Sequence, residues 1–132
     1  MPDNPLAKKL LIKPGYRALL LNVPQGYREQ LNLLPEGVQV SDEASGSFDL
    51  AHLFVTNRAE LESRAPSAMK AVKPGGALWV SYPKQNSKVK TDITRDAGWD
   101  VFAKVGWRPV SLVSIDDVWS ALRFRPLAEV GS

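Results

Sequence analysis

Cysteine is absent from the 132 residues and histidine occurs once. The first absence excludes disulfides, thiolate metal sites, iron–sulfur clusters and a cysteine nucleophile; the second excludes multi-histidine metal sites. No apolar run approaches the roughly 18–20 residues needed to cross a bilayer. The opening MPDNPLAKKLLIKPG sets prolines and an acid before a very short apolar run, which is not the layout of a secretory signal. Low-complexity segments, internal repeats and linkers are also missing. The expectation is a cytoplasmic chain with no membrane role. What is present, 44% apolar and 23% charged residues, is ordinary for a folded domain. The length suits one domain of the usual size, about 100–150 residues. That domain takes in 1–132, with an N-terminal helix and turn over 1–15 and a flexible tail over 126–132.

Charge is nearly balanced, with 17 basic and 14 acidic side chains for a net of +3. The excess sits in the C-terminal third, densest at Lys84, Lys88, Lys90 and Arg95. Nucleic-acid binders carry a stronger basic stripe than this, so a solvated surface is expected.

Asn4-Pro5 followed by Leu6, Leu10 and Leu11 predicts a short capped helix, ended by Lys13-Pro14-Gly15. Arg17 to Val23 is a continuous apolar run of strand length, the pattern of a strand buried on both faces. Gln25 to Leu34 predicts a short helix and Val38 to Ser41 a short strand. Phe48 to Thr56 is a second apolar strand. Arg58 to Val72 follows as a helix with Leu61, Ala65, Ala68, Met69 and Val72 at helical spacing, and Pro66 is expected to kink or reset it. Lys73-Pro74-Gly75-Gly76 reads as a turn into a strand over Ala77 to Tyr82. Thr91 caps an expected helix over about 92–105, weakened by Gly98. Pro109 to Ile115 and Val118 to Phe124, separated by Asp116-Asp117, have the signature of an antiparallel hairpin. Strands alternating with helices predict an α/β, Rossmann-like domain. Its sheet is mostly parallel with helices on both faces and ends in the hairpin.

The words at two of these pieces resemble the fold of S-adenosylmethionine (SAM)-dependent methyltransferases. FDLAHLFV at 48–55 is similar to that fold's fourth strand, and AVKPGGALWVSYP at 71–83 to the next helix end and fifth strand. Gly106-Trp107 and the hairpin match its last two strands. The first strand departs from the fingerprint: Asn22 stands for the acid, Pro24 for the first glycine, and only Gly26 survives. Proline fixes φ and removes a donor, so the cofactor turn is not expected in its usual form. Asp42 or Glu43, after the short second strand, is the acid available for ribose hydroxyls, unless both are turn residues. The chain also resembles a family of small bacterial proteins, described as a domain of unknown function, that look like reduced methyltransferase-type domains. KPGYRALLLNVPQGY, LFVTNRAELE, LWVSYPK, TDITRD and WSALRF carry that resemblance.

In an open parallel sheet the ligand crevice lies beyond the C-terminal strand ends, near the switch in strand order. Three loops are expected to meet there. They bring Asn22, Gln25, Gly26, Thr56, Asn57, Tyr82, Lys84 and Arg95 toward a mouth suited to a small anionic or amide-bearing ligand. The competing reading is loop capping, which Asn, Gln and Thr also perform. Asp92 and Asp96 are expected to pair with the cations of the 84–95 loop and to complement the dipole of the helix beginning near Thr91. His52, mid-strand in an apolar run, has neither reach nor an orienting partner and reads as a core histidine. Ser81 and Ser114 have no histidine in a supported geometry, so a serine hydrolase is not motivated. Trp119 and Arg123 share a strand face and form the candidate protein-partner surface. Arg123, Arg125 and Pro109 are expected to blunt the sheet edge, leaving a monomer or weak dimer.

The resulting expectation is a small binding or interaction module with no cofactor, no metal and no catalysis of its own. The alternatives are a SAM-dependent methyltransferase acting with a partner, or a weak nucleic-acid or anionic-ligand binder using the 84–95 loop.

Overall fold

The computed structural model describes Leu10 and residues 12–24, 27, 36–43, 46–84, 91–94, 99–116 and 118–126. The expected helices over 4–11 and 25–34 fall almost wholly outside these residues, as does the tail. The described elements are β1 (Arg17–Leu21), β2 (Gln39–Ser41), β3 (Phe48–Phe54), α1 (Arg58–Ala71), β4 (Val72–Pro83), α2 (Asp100–Ala103), β5 (Trp107–Ser114) and β6 (Trp119–Pro126).

The strands make one six-stranded sheet in the order β2-β1-β3-β4-β6-β5. The first four run parallel, and β6 is antiparallel to both β4 and β5. This is the Rossmann-like α/β architecture with a terminal hairpin that the strand patterns predict. β1, β3 and β4 are largely apolar along their paired lengths because side chains alternate between two covered faces. Leu19, Ala51, Leu53, Leu78 and Val80 pack with α1 on one face. Ala18, Leu20, Leu50, Ala77 and Trp79 pack with Leu10, Ile12 and Tyr27 on the other. The N-terminal segment is fastened to that second face by the Trp79 indole, which donates to the Leu10 carbonyl at 3.0 Å.

Helix α1 turns Leu61, Ala65, Ala68 and Ala71 inward. Its alanines let it lie close to the sheet, where Leu61 is fully buried. Burying a leucine side chain contributes roughly 2 kcal/mol. Pro66 does not break the helix, which runs from Arg58 to Ala71 without interruption. Proline removes the bond to the carbonyl four residues back, here that of Glu62. Both residues lie on the exposed face of the helix, so the loss of that donor leaves no buried carbonyl unpaired.

Three further expectations are corrected. The strand β4 starts at Val72, before the Lys73-Pro74-Gly75-Gly76 turn, because Phe48 pairs with Val72 and Leu50 with Ala77. The four turn residues thus bulge out opposite Asp49 alone. A Cβ on Gly76 would stand 2.8 Å from the Asp49 carbonyl oxygen. Glycine is needed where another backbone approaches this closely. The helix expected over 92–105 is described only at Asp100–Ala103, and residues 91–94 are not helical. Thr91 does accept a bond, from the Ile93 amide at 3.1 Å, but it closes a local turn and not a helix cap. Finally, β6 lies inside the sheet, so Arg123 and Arg125 do not guard an edge. Among the described residues the edges are β2 and β5, and β5 carries Pro109 and a register shift beside it.

Candidate functional site

The C-terminal ends of β1, β2, β3 and β4 lie on one side of the sheet, as parallel pairing requires. The order reverses at β1, whose neighbours are β2 and β3, so the crevice of the fold opens beside the loop that leaves β1. Asn22 is the first residue of that loop and has φ of 56°, the sole positive value among described non-glycine residues. Asparagine is one of the few side chains that tolerate this left-handed region. Its amide donates to the Phe54 carbonyl at 2.8 Å, joining the β1 loop to the end of β3.

The next loop is closed by capping. The Asn57 side chain accepts from the Glu60 amide at 2.8 Å, and the Glu60 carboxylate accepts from the Thr56 amide at 2.7 Å and its hydroxyl at 3.2 Å. Asn57 thereby serves an orphan donor at the start of α1, and Glu60 ties the residue before the cap back to the helix. Asp92 adds to the same end: its carboxylate accepts from the Arg58 amide at 2.8 Å, and its carbonyl from the Arg58 guanidinium at 3.1 Å. The expectation that Asp92 complements the dipole of a helix beginning near Thr91 is not met, since 91–94 are not helical; its carboxylate serves the start of α1 instead. These bonds bring the loops after β1, β3 and β4 together.

Not every side chain expected at this mouth reaches it. Tyr82 is buried on the α1 face, edge-on to Trp99 with ring centroids 5.3 Å apart. Lys84 turns to the hairpin, where its Nζ donates to the Ser114 hydroxyl at 2.7 Å and its amide to the Val118 carbonyl at 2.6 Å. Gln25, Gly26, Lys88, Lys90, Arg95 and Asp96 lie outside the described residues. Asp42 and Glu43 are exposed just beyond β2, at the crevice end of the sheet. Glu43 shares a turn with Ser41, its amide donating to the Ser41 hydroxyl at 3.2 Å. Of the partner-surface pair, Trp119 is half-buried and edge-on to Phe54 at 5.1 Å, and Arg123 stands in register with Trp79.

Directly beneath the crevice lies a feature that sequence reading missed. His52 is fully buried, yet it has two partners: the Tyr27 phenol 2.7 Å from Nδ1 and the Ser81 hydroxyl 2.6 Å from Nε2. The expectation that Ser81 has no histidine is therefore wrong. In the β3–β4 register His52 opposes Trp79, and Ser81, two residues on, shares that face. Burial holds the imidazole neutral, its pKa pushed down to about 3, and pushes the Tyr27 phenol well above its ordinary range. In both cases loss of hydration disfavours the charged form. A neutral imidazole offers one donor and one acceptor. The phenol is the more acidic hydroxyl, so we assign Tyr27 as donor to Nδ1 and Nε2–H as donor to Ser81. Ser81 is fully buried, and its hydroxyl is out of reach of an external substrate. This is a positioning chain and not a hydrolytic site.

At the opposite end of the sheet, Asp49 accepts from the Arg17 amide at 2.8 Å and pairs with Lys73 at 3.3 Å. The Arg17 amide bond first, then Lys73, hold its carboxyl below the usual range against the opposing effect of burial. Bonds and positive charge favour the ionised form. This group lies away from the crevice.

No protein-family model matches the chain, and no curated protein does. Solved structures do. The ribosomal protein L11 methylase of Lactobacillus delbrueckii subsp. bulgaricus aligns with a TM-score of 0.56 at 12% identity, over 92% of this chain and 74% of that one. DhpI, solved as a complex with S-adenosyl-L-homocysteine (SAH), aligns at 0.60 and 16% identity over 92% and 83%. The N-methyltransferase NodS of Bradyrhizobium japonicum aligns at 0.56 and 13% identity over 96% and 99%, and has also been solved with SAH. The chain thus has the Rossmann-like methyltransferase fold, hairpin included. These neighbours overturn the expectation of a non-catalytic module with no cofactor: methyltransferases and SAH complexes recur among them, and they favour the methyltransferase alternative. Among the described residues, no helix is long and apolar enough to cross a membrane.

Proposed function

We propose that this chain binds SAM in the crevice beside β1 and transfers its methyl group to an acceptor seated with the help of a partner chain. The observation that carries the reading is the strand order: β6 inserted antiparallel between β4 and β5, with the reversal at β1. The residues present suit the cofactor at two points. Asn22 turns the chain off β1 in the left-handed conformation, and Asp42 and Glu43 offer exposed carboxylates beyond β2. A turn of that kind lets the chain pass the crevice, and an acid near the second strand is suited to a ribose diol. SAM, when bound, supplies a methyl group activated on a sulfonium and leaves as SAH. The need for a partner rests on the engagement of Thr56, Asn57, Tyr82 and Lys84 within the chain. Little at the described rim is left to orient an acceptor.

Calorimetric titration with SAH tests the reading. Binding in the micromolar range is expected, weakened about tenfold or more when Asp42→Asn and Glu43→Gln are combined, since bonds to charged groups contribute roughly 1.5–3 kcal/mol. No binding of either SAH or SAM by the wild-type chain overturns it.

A further inference from the structure

The loop between β1 and Tyr27 departs from the glycine pattern of its fold, yet both of its ends are tied to the same strand. Asn22 is held at the Phe54 carbonyl and Tyr27 at the His52 ring, two residues earlier on β3. Between them the Tyr27 amide donates to the Pro24 carbonyl at 3.2 Å. His52 is in turn held by Ser81 on β4. Tyr27 also stands edge-on to both His52 and Phe54, with centroids 5.1 and 4.6 Å apart. All three members of the chain are buried. A hydroxyl in such a place costs free energy unless it is bonded, so the phenol has a single favourable position.

We infer that Tyr27, through His52 and Ser81, is a positioning residue that fixes the β1 loop against β3 and β4. It does by side-chain bonds what close glycine packing does in the usual fingerprint. The ligand consequence, a crevice shaped in advance for SAM, rests on the function proposed above; the clamp itself does not. The relay has a specific signature. Ser81 is on β4 and acts on the loop by way of the His52 ring, so its removal loosens the loop at a distance.

Hydrogen exchange of peptides spanning 22–27, without ligand, reads the clamp directly. Tyr27→Phe keeps the ring and removes the bond, and Ser81→Ala removes the far anchor. Both are expected to speed exchange in 22–27 by about tenfold relative to Ala68→Gly, a destabilised control on the opposite sheet face. Uniform acceleration across the chain, equal to that in the control, overturns the inference. So does a Ser81→Ala variant whose loop exchanges as the wild type does. The same variants titrated with SAH separate the two readings. Loop loosening with no SAH binding by the wild type leaves the clamp and rejects the cofactor. SAH binding with unchanged loop exchange does the reverse.

Discussion

Because the chain has one histidine, its stability between pH 7 and pH 5 reports on a single buried group. In the unfolded chain that imidazole takes up a proton near its ordinary pKa of 6.5; in the folded protein burial delays protonation to about 3. Between those values the unfolded state binds more protons, so stability falls as the pH falls. It is fully present above the unfolded value and is lost progressively below it. Each pH unit is worth about 1.36 kcal/mol, so acidification from pH 7 to pH 5 is expected to remove about 2 kcal/mol. By pH 3 the loss reaches about 4 kcal/mol, close to the whole stability of a marginal domain. Urea unfolding followed by tryptophan fluorescence at pH 7, 6 and 5 gives the slope. His52→Gln is expected to be less stable at pH 7 by about 1–3 kcal/mol, since it unsettles two buried hydroxyls, but to show almost no slope across this window. The Asp49 carboxyl, held below its ordinary range by the Arg17 amide and Lys73, titrates below this window. A wild-type stability flat from pH 7 to pH 5, or an equal slope in His52→Gln, would refute the reasoning.

Other outcomes follow from backbone geometry. Asn22→Ala is expected to lose both the Phe54 bond and a side chain suited to positive φ, about 2–3 kcal/mol in all, whereas Asn22→Gly loses only the bond, about 1 kcal/mol; denaturant midpoints of the pair check the difference. Asn57→Ala removes the cap of α1 and is expected to lower stability by about 1 kcal/mol, read in the same titration. Gly76→Ala drives a methyl into the Asp49 carbonyl. That overpacking is expected to cost about 1–3 kcal/mol, seen as a lower thermal midpoint.

Much of the fold was legible because its signals are local. RALLL and FDLAHLF are largely apolar runs of strand length, and a strand covered on both faces has that pattern. The hairpin showed itself through Asp116, whose carboxylate accepts from the Val118 and Trp119 amides at 2.8 and 2.9 Å. The capping of α1 was also present in the sequence as Asn57 three residues before Glu60. The site was less legible because its bonds are long-range. Tyr27 and His52 are 25 residues apart, His52 and Ser81 are 29 apart, and Arg58 and Asp92 are 34 apart. Only the folded arrangement of strands and loops brings such pairs together. One cue was available: His52 and Ser81 are polar residues inside the apolar stretches of two buried strands, and a polar group in such a place requires a partner.

Pro24 is the residue that most argued against a cofactor, and the geometry of Asn22 changes its weight. A fingerprint glycine serves two ends, a backbone at positive φ and close approach of main chain to ligand. The first of these needs glycine only if no other residue in the loop provides it. Here Asn22 already stands at φ of 56° where the chain leaves β1. The fixed negative φ of a proline, two residues later, is then compatible with a loop that has already turned. The proline's missing amide removes one donor from the crevice, but its carbonyl still closes the turn to Tyr27. The conformational demand of the fold has therefore been moved two residues toward the strand. The lost rigidity is supplied from beneath by His52.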